Sequence, residues 1–577
     1  MDETMFIQVV RLFIIIQVIV LAIVEIKSSD NKPLVKTLKG TVQGRYIKSY
    51  GGRIVSAFEG IPYAKPPVGE LRFKEPEPSE PWSDVLEANN TYVCLQFVPI
   101  VTSSGIMGTE DCLYLYIYTP KETISGVENM SVIVHIHGGA FMLGAPKYLA
   151  GPDYITDKDV VYVTFNYRLG IMGFLSTEDE VVPGNNGLKD QIMALKWIQD
   201  NIKYFGGNPN SVTLTGLSAG GASVHYHYFS PLSKGIFNRI FMLNYKLLNT
   251  FKGLFHRGFS QSGTSLNMWA LTENPLQKTK KLATFLNCTT ETNKDMIGCL
   301  KKQPDSHIIL TLKKFFIFIN AVPYTPFGPV IEKGKAGFLV EHPYKLLVEG
   351  KINDCPWITS NTKNEGIYPV GFFVLYGKLQ QLDEEWNSII PSALDYDDTV
   401  SDGDKVETAQ KLRKHYLNNE QLSTDNLDKL INLFTDRLFL YDSETAVRLH
   451  AKASISPVYY YFYEYQMQTK TIFPKSLKGS AHSDDGRMLF KIYGNPEILP
   501  HDDQNMKEVL TDFIYKFATT GIPQINGTEW NPVGKNKKIN FMHIISPKNT
   551  YMDTIEELAP TNFWKNLNIE ENGNLLD

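Results

Sequence analysis

Val212-Thr213-Leu214-Thr215-Gly216-Leu217-Ser218-Ala219-Gly220-Gly221 is the stretch on which the reading of this chain turns. Residues 212–215 are apolar and mostly β-branched, with no alternation of polar and apolar side chains. Strands buried on both faces of a parallel sheet have this pattern. Residues 222–228 then read as helix. A serine between strand and helix sits on a tight, strained turn that lifts its Oγ above the sheet. Glycine is needed on both sides of it, because a Cβ would collide with the neighbouring strand and helix. A bare G-x-S-x-G is common by chance. The strand–turn–helix context makes Ser218 a candidate nucleophile.

Working outward, residues 132–136 and 160–164 form two similar apolar runs. Between 160–164 and the serine strand, Leu188, Ile192, Leu195, Ile198 and Ile202 recur at three- and four-residue steps and make one apolar helical stripe. Strand, helix, strand in that order predicts an α/β fold: a large, mostly parallel sheet with helices on both faces. The run at 132–136 ends in His137-Gly138-Gly139-Ala140-Phe141. Glycines there let backbone N–H groups converge, and with the N–H of Ala219 they are candidate oxyanion donors. The base and acid should follow the serine in chain order. His482 lies in the small-residue loop Gly479-Ser480-Ala481-His482-Ser483-Asp484-Asp485. Glu365 follows the apolar segment Pro356-Trp357-Ile358-Thr359, but spacing alone does not select it over other carboxylates.

The rest of the chain bounds the class. It has 577 residues, 43% apolar and 21% charged, with a net charge of −5. That charge leaves no electrostatic footprint for nucleic acid. No linker, repeat or low-complexity tract divides 29–577, which reads as one domain. Residues 12–24 are apolar except for Gln17 and follow Arg11. They are too few for a membrane span, which needs about 20 residues. They fit the apolar part of a secretory signal over 1–28, although Asp2 and Glu3 stand where basic residues are usual. No stable membrane span is therefore expected. The five cysteines, Cys94, Cys112, Cys288, Cys299 and Cys355, fall as two close pairs and one left over, which suits an oxidising, extracellular destination. N-x-S/T sequons stand at Asn89, Asn129, Asn287 and Asn526.

Collectively these motifs resemble the type-B carboxylesterase and cholinesterase family, above all its secreted insect esterases. The likeness runs from about Gly40 to Asn562. It includes Phe58-Glu59-Gly60-Ile61-Pro62-Tyr63-Ala64, Glu110-Asp111-Cys112-Leu113-Tyr114-Leu115, Asn166-Tyr167-Arg168-Leu169-Gly170, Gly184-Asn185-Asn186-Gly187-Leu188-Lys189-Asp190-Gln191 and Gly258-Phe259-Ser260-Gln261-Ser262-Gly263. The resemblance implies an α/β-hydrolase fold and acyl transfer from carboxylic esters, with no cofactor and no metal. It implies a triad of Ser218, Glu365 and His482, and oxyanion donors Gly138, Gly139 and Ala219. It further implies that the Ser262 hydroxyl supports the acid. Disulfides Cys94–Cys112 and Cys288–Cys299 are implied, leaving Cys355 free, as are scaffold ion pairs Arg72–Glu110 and Arg168–Asp190. Tyr116 stands where the family commonly has asparagine and reads as neutral. The family also holds adhesion proteins that lost the nucleophile. That alternative, a weak or inactive binding member, is countered by the presence of all three triad residues. The loop from Cys94 to Cys112 has Phe97 but no tryptophan, so a quaternary-ammonium site is not expected. Leu217 stands where juvenile hormone esterases usually carry glutamine. The substrate is therefore a small-molecule ester of a general carboxylesterase.

One segment departs from the family. Ser230-Pro231-Leu232-Ser233-Lys234-Gly235 should lead directly into Gly253-Leu254-Phe255-His256-Arg257, yet 235–252 intervenes. It is rich in apolar residues such as Ile236, Phe237, Phe241 and Leu248, which is unusual for a surface loop. It reads either as an added amphipathic helix or as a retained intron, and we favour the intron. If real, it is expected to pack poorly, on the view that a strand at 258–262 completes the sheet.

Overall fold

The computed structural model describes residues 32–99, 102, 104–234, 253–334, 337–469, 472–474, 476–535, 537–567 and 569–572. The expected signal at 1–28 and the segment 235–252 lie outside them.

One sheet of eleven strands organises the chain. They are β1 (Arg45–Lys48), β2 (Ile54–Pro62), β3 (Tyr114–Thr119), β4 (Met130–Ile136), β5 (Val161–Phe165), β6 (Gly207–Leu217), β7 (Arg257–Gln261), β8 (Trp357–Thr362), β9 (Val458–Tyr463), β10 (Ile539–Ser546) and β11 (Asn549–Ile555). Their spatial order is β11-β10-β9-β8-β7-β6-β4-β5-β3-β2-β1. From β5 through to β10 every neighbouring pair is parallel. The pairs at the two margins are antiparallel. The three runs read from the sequence are β4, β5 and β6, each extended or shifted by a few residues. Strand β7 does not complete the sheet, as the sequence suggested. Four strands lie beyond it, because residues 357–362 and 458–463 pair successively outward from it.

Alternate side chains of the central strands enter two separate cores, which is what burial on both faces requires. Val132, Val134, Ile136, Val161, Val163 and Trp357 join one core; Ile133, Tyr162, Phe259, Ile358 and Tyr461 join the other. Helices α1 (Asn186–Asn201), α2 (Ala219–Phe229), α3 (Ile367–Leu375) and α4 (Tyr441–Ala453) supply the first core. Helix α5 (His501–Thr520) supplies the second through Met506, Leu510, Phe513, Ile514 and Phe517. The apolar stripe from Leu188 to Ile198 is the buried face of α1.

Two disulfides are present, Cys94–Cys112 and Cys288–Cys299, and Cys355 is free. Arg168 grips Asp190 with Nε and Nη2 at 2.8 and 2.7 Å in a fully buried pair, and Arg72 similarly forks onto Glu110. Tyr116 has a structural part to play. Its buried hydroxyl accepts the Tyr92 N–H, at 2.8 Å, and an Asn166 side-chain N–H, so it fastens the loop before Cys94 to β3. Asn89, Asn129, Asn287 and Asn526 are all exposed. Among the described residues no helix is long and apolar enough to cross a membrane.

Candidate active site

The parallel strands β4, β6, β7, β8 and β9 end on one edge of the sheet, and every candidate residue sits in a turn or loop that follows one of those ends. The order β6-β4-β5 places a reversal of strand order at this edge, where α/β sheets open a crevice.

Ser218 follows β6 directly and carries φ 60° and ψ −123°, a conformation that costs a non-glycine residue of order 1–3 kcal/mol. The turn is held by packing. A Cβ on Gly216 would lie 2.2 Å from the Gly220 carbonyl oxygen, and one on Gly220 would lie 2.0 Å from that of Ile136 in β4. The Ser218 N–H donates to the Gln261 carbonyl at the end of β7, at 2.7 Å.

Past β4, the loop of Gly138 and Gly139 lies against this turn. A Cβ on Gly138 would meet the Leu217 carbonyl oxygen at 2.6 Å and Ser218 Cβ at 3.1 Å. Gly139, Ala140 and Phe141 all have positive φ, so the chain coils tightly here. Among the described residues neither Gly138 nor Gly139 N–H has a protein acceptor, and Ala219 opens helix α2 beside them. Such free N–H groups next to a serine can stabilise an oxyanion.

Glu365 and His482 are brought together by the loops after β8 and β9. Asn364 pairs with Ala481 in a parallel bridge, and the Asn364 N–H donates to Ser480. The small residues of the histidine loop make this possible, since a Cβ on Gly479 would strike Asn364 Oδ1 at 2.1 Å. Glu365 is completely buried. Its Oε1 accepts from Ser262 Oγ at 2.6 Å and from the Thr362 N–H at 2.8 Å. Its Oε2 lies 2.6 Å from His482 Nδ1. A carboxylate can only accept from that ring nitrogen, so Nδ1 carries the proton and Nε2 is left as a base. Tyr368 and Phe439 pack on the imidazole with ring centroids at 5.4 and 4.7 Å. Among the described residues no hydrogen bond joins the Ser218 hydroxyl to His482; such bonds commonly tighten only in the substrate complex.

The competing groups are otherwise engaged. Asp484 accepts the Ala481 N–H at 2.8 Å, and burial pushes its carboxyl up to about 7. His135 and His137 are pushed down to about 3 and about 4 by burial, and His137 Nδ1 donates to the Gly138 carbonyl. Neither is poised to exchange protons at neutral pH. Sequence reasoning missed Asp485, Gln261, Ser360 and Tyr461, which form a buried polar cluster under the histidine loop. Gln261, Ser360 and Tyr461 read as ordinary strand residues, and only adjacency of β7, β8 and β9 reveals their partner. Phe97 stacks near Phe316 and lies under the Lys313 ammonium.

Residues 31–564 match the model of the carboxylesterase family. The chain is 38% identical to venom carboxylesterase-6 of Apis mellifera over 94% of its length and 95% of that protein. It is 38% identical to esterase FE4 of Myzus persicae, covering 88% of each chain. The crystal structure of the juvenile hormone esterase from Manduca sexta, with OTFP covalently attached, superposes with a TM-score of 0.77 at 26% identity, covering 93% of this chain and 99% of that one.

Proposed function

The chain belongs to the carboxylesterase family and is a carboxylic ester hydrolase, and we propose that it works through an acyl-enzyme on Ser218. The observation that carries this is the buried Glu365 carboxylate, fixed through one oxygen by Ser262 and Thr362 and presenting the other to His482 Nδ1. His482 Nε2 takes the Ser218 proton as Oγ attacks the ester carbonyl. Glu365 holds the ring in the productive tautomer and stabilises the imidazolium that forms. The N–H groups of Gly138, Gly139 and Ala219 receive the tetrahedral oxyanion. His482 then gives its proton to the leaving alcohol. Water, deprotonated by the same imidazole, attacks the acyl-enzyme, and collapse of the second tetrahedral intermediate releases the acid and frees Ser218. The covalent adduct carried by the Manduca sexta relative supports a nucleophilic route in this fold. The substrate is a small-molecule carboxylic ester.

We also propose that 1–28 is a secretory signal and that 29–577 form one catalytic domain. Two disulfides and four exposed sequons support an extracellular, glycosylated product.

The test is hydrolysis of short-chain aryl esters by the purified protein and by Ser218→Ala. We expect turnover by the first and its loss in the second. Turnover retained by Ser218→Ala would place the nucleophile elsewhere.

A further inference from the structure

Asp485 is completely buried, three residues beyond His482, and takes no part in the chemistry above. Its Oδ2 accepts from Tyr461 Oη at 2.6 Å, from Gln261 Nε2 at 3.0 Å and from Ser360 Oγ at 3.2 Å. Its Oδ1 accepts the Gly486 N–H at 2.8 Å. Gln261 Nε2 and the Gly486 N–H donate to it, and with two hydroxyls they form a shell suited to an ionised carboxylate. The three side chains come from three neighbouring strands, β7, β8 and β9.

Two of these partners also hold the reacting groups through their backbones. The Gln261 carbonyl accepts the Ser218 N–H. The Ser360 carbonyl accepts the N–H of Ser262, whose hydroxyl binds Glu365. Resting on the Ser218 mechanism, we propose that Asp485 is a positioning residue: its carboxylate locks the His482 loop in register with the strand ends that hold Ser218 and Glu365. Displacing a base by about 1 Å can cost 100-fold in rate without touching substrate affinity.

The test uses the full-length enzyme, Asp485→Asn and Tyr461→Phe. A fluorophosphonate probe counts competent Ser218 sites, and kcat is expressed per labelled site. For Asp485→Asn we expect labelling at Ser218, kcat per site down about 10- to 100-fold and KM within about threefold. Tyr461→Phe should lower kcat per labelled site by less, and the double variant should be no worse than Asp485→Asn alone. The proposal is overturned if kcat per labelled site stays at the wild-type value while only the melting temperature falls. If Asp485→Asn does not fold, Tyr461→Phe decides by the same criteria. Labelling of the wild type at a residue other than Ser218 would remove the premise and overturn both readings.

Discussion

Glu365 Oε2 lies 2.6 Å from His482 Nδ1, while the other oxygen of the same carboxylate is held by Ser262 and the Thr362 N–H. Both oxygens are thus committed within a fully buried site. The carboxylate cannot rotate without breaking a short bond, so the imidazole it faces is fixed in tautomer and in orientation.

Glu365→Gln should keep the fold and lower kcat by about 10³- to 10⁴-fold, because the amide no longer stabilises the imidazolium or enforces the Nδ1–H tautomer. Ser262→Ala frees only one oxygen and should cost about 10- to 100-fold. Steady-state kinetics on variants with unchanged circular dichroism would check this. A Glu365→Gln enzyme within tenfold of wild type would assign the acid's role to another carboxylate.

Asp484 gives a stability signature. Its carboxyl, pushed up to about 7 by burial, stays protonated in the folded state over a range where the unfolded chain has lost its proton. The folded state binds more protons between the unfolded value near 4 and 7, so this group makes stability fall as pH rises through that window. Above 7 its contribution is flat. Asp484→Asn should remove that part of the slope, read by melting temperature against pH. Identical slopes for the two proteins would contradict the assignment.

Arg168 and Asp190 act as scaffold. Arg168→Met leaves Asp190 buried without its fork of donors, which should cost about 3–5 kcal/mol in denaturant-induced unfolding. KM of the folded fraction should be unchanged. A loss below about 1 kcal/mol would show that the pair is dispensable.

The segment 235–252 can be tested by removal. Its flanks already meet: the Leu254 N–H donates to the Ser233 carbonyl, at 3.4 Å. In a chain running Ser233-Lys234-Gly253-Leu254, that bond is the first-to-fourth hydrogen bond of a β-turn. Deleting 235–252 should leave folding intact and kcat/KM within about threefold. Failure to fold would show that the segment belongs to the core. Transcript sequencing gives an independent check, since a dominant message encoding these residues would reject the intron reading.

What was legible in the sequence was local. The Ser218 turn could be read because its strand, its glycines and its helix are contiguous, and each flanking glycine is explained by an atom within a few residues or in the adjoining strand. The loop at Gly138 was legible for the same reason. Glu365 was selected by family resemblance and not by spacing, because its pairing with His482 depends on β8 and β9 lying side by side across more than ninety residues of intervening chain. The antiparallel margins from Arg45 to Thr119 gave no clear run, since their strands are short or bulged. Tyr116 was read as neutral and Asp485 was given no role, because a tyrosine hydroxyl or a second aspartate has meaning only once its partners on other strands are placed.

Whether Ser218 is the nucleophile is read directly by mass-spectrometric mapping of the protein after inactivation by a fluorophosphonate. We expect one adduct per molecule, on the peptide carrying Ser218, formed in step with loss of esterase activity and absent from Ser218→Ala. Complete inactivation with Ser218 unmodified would contradict it.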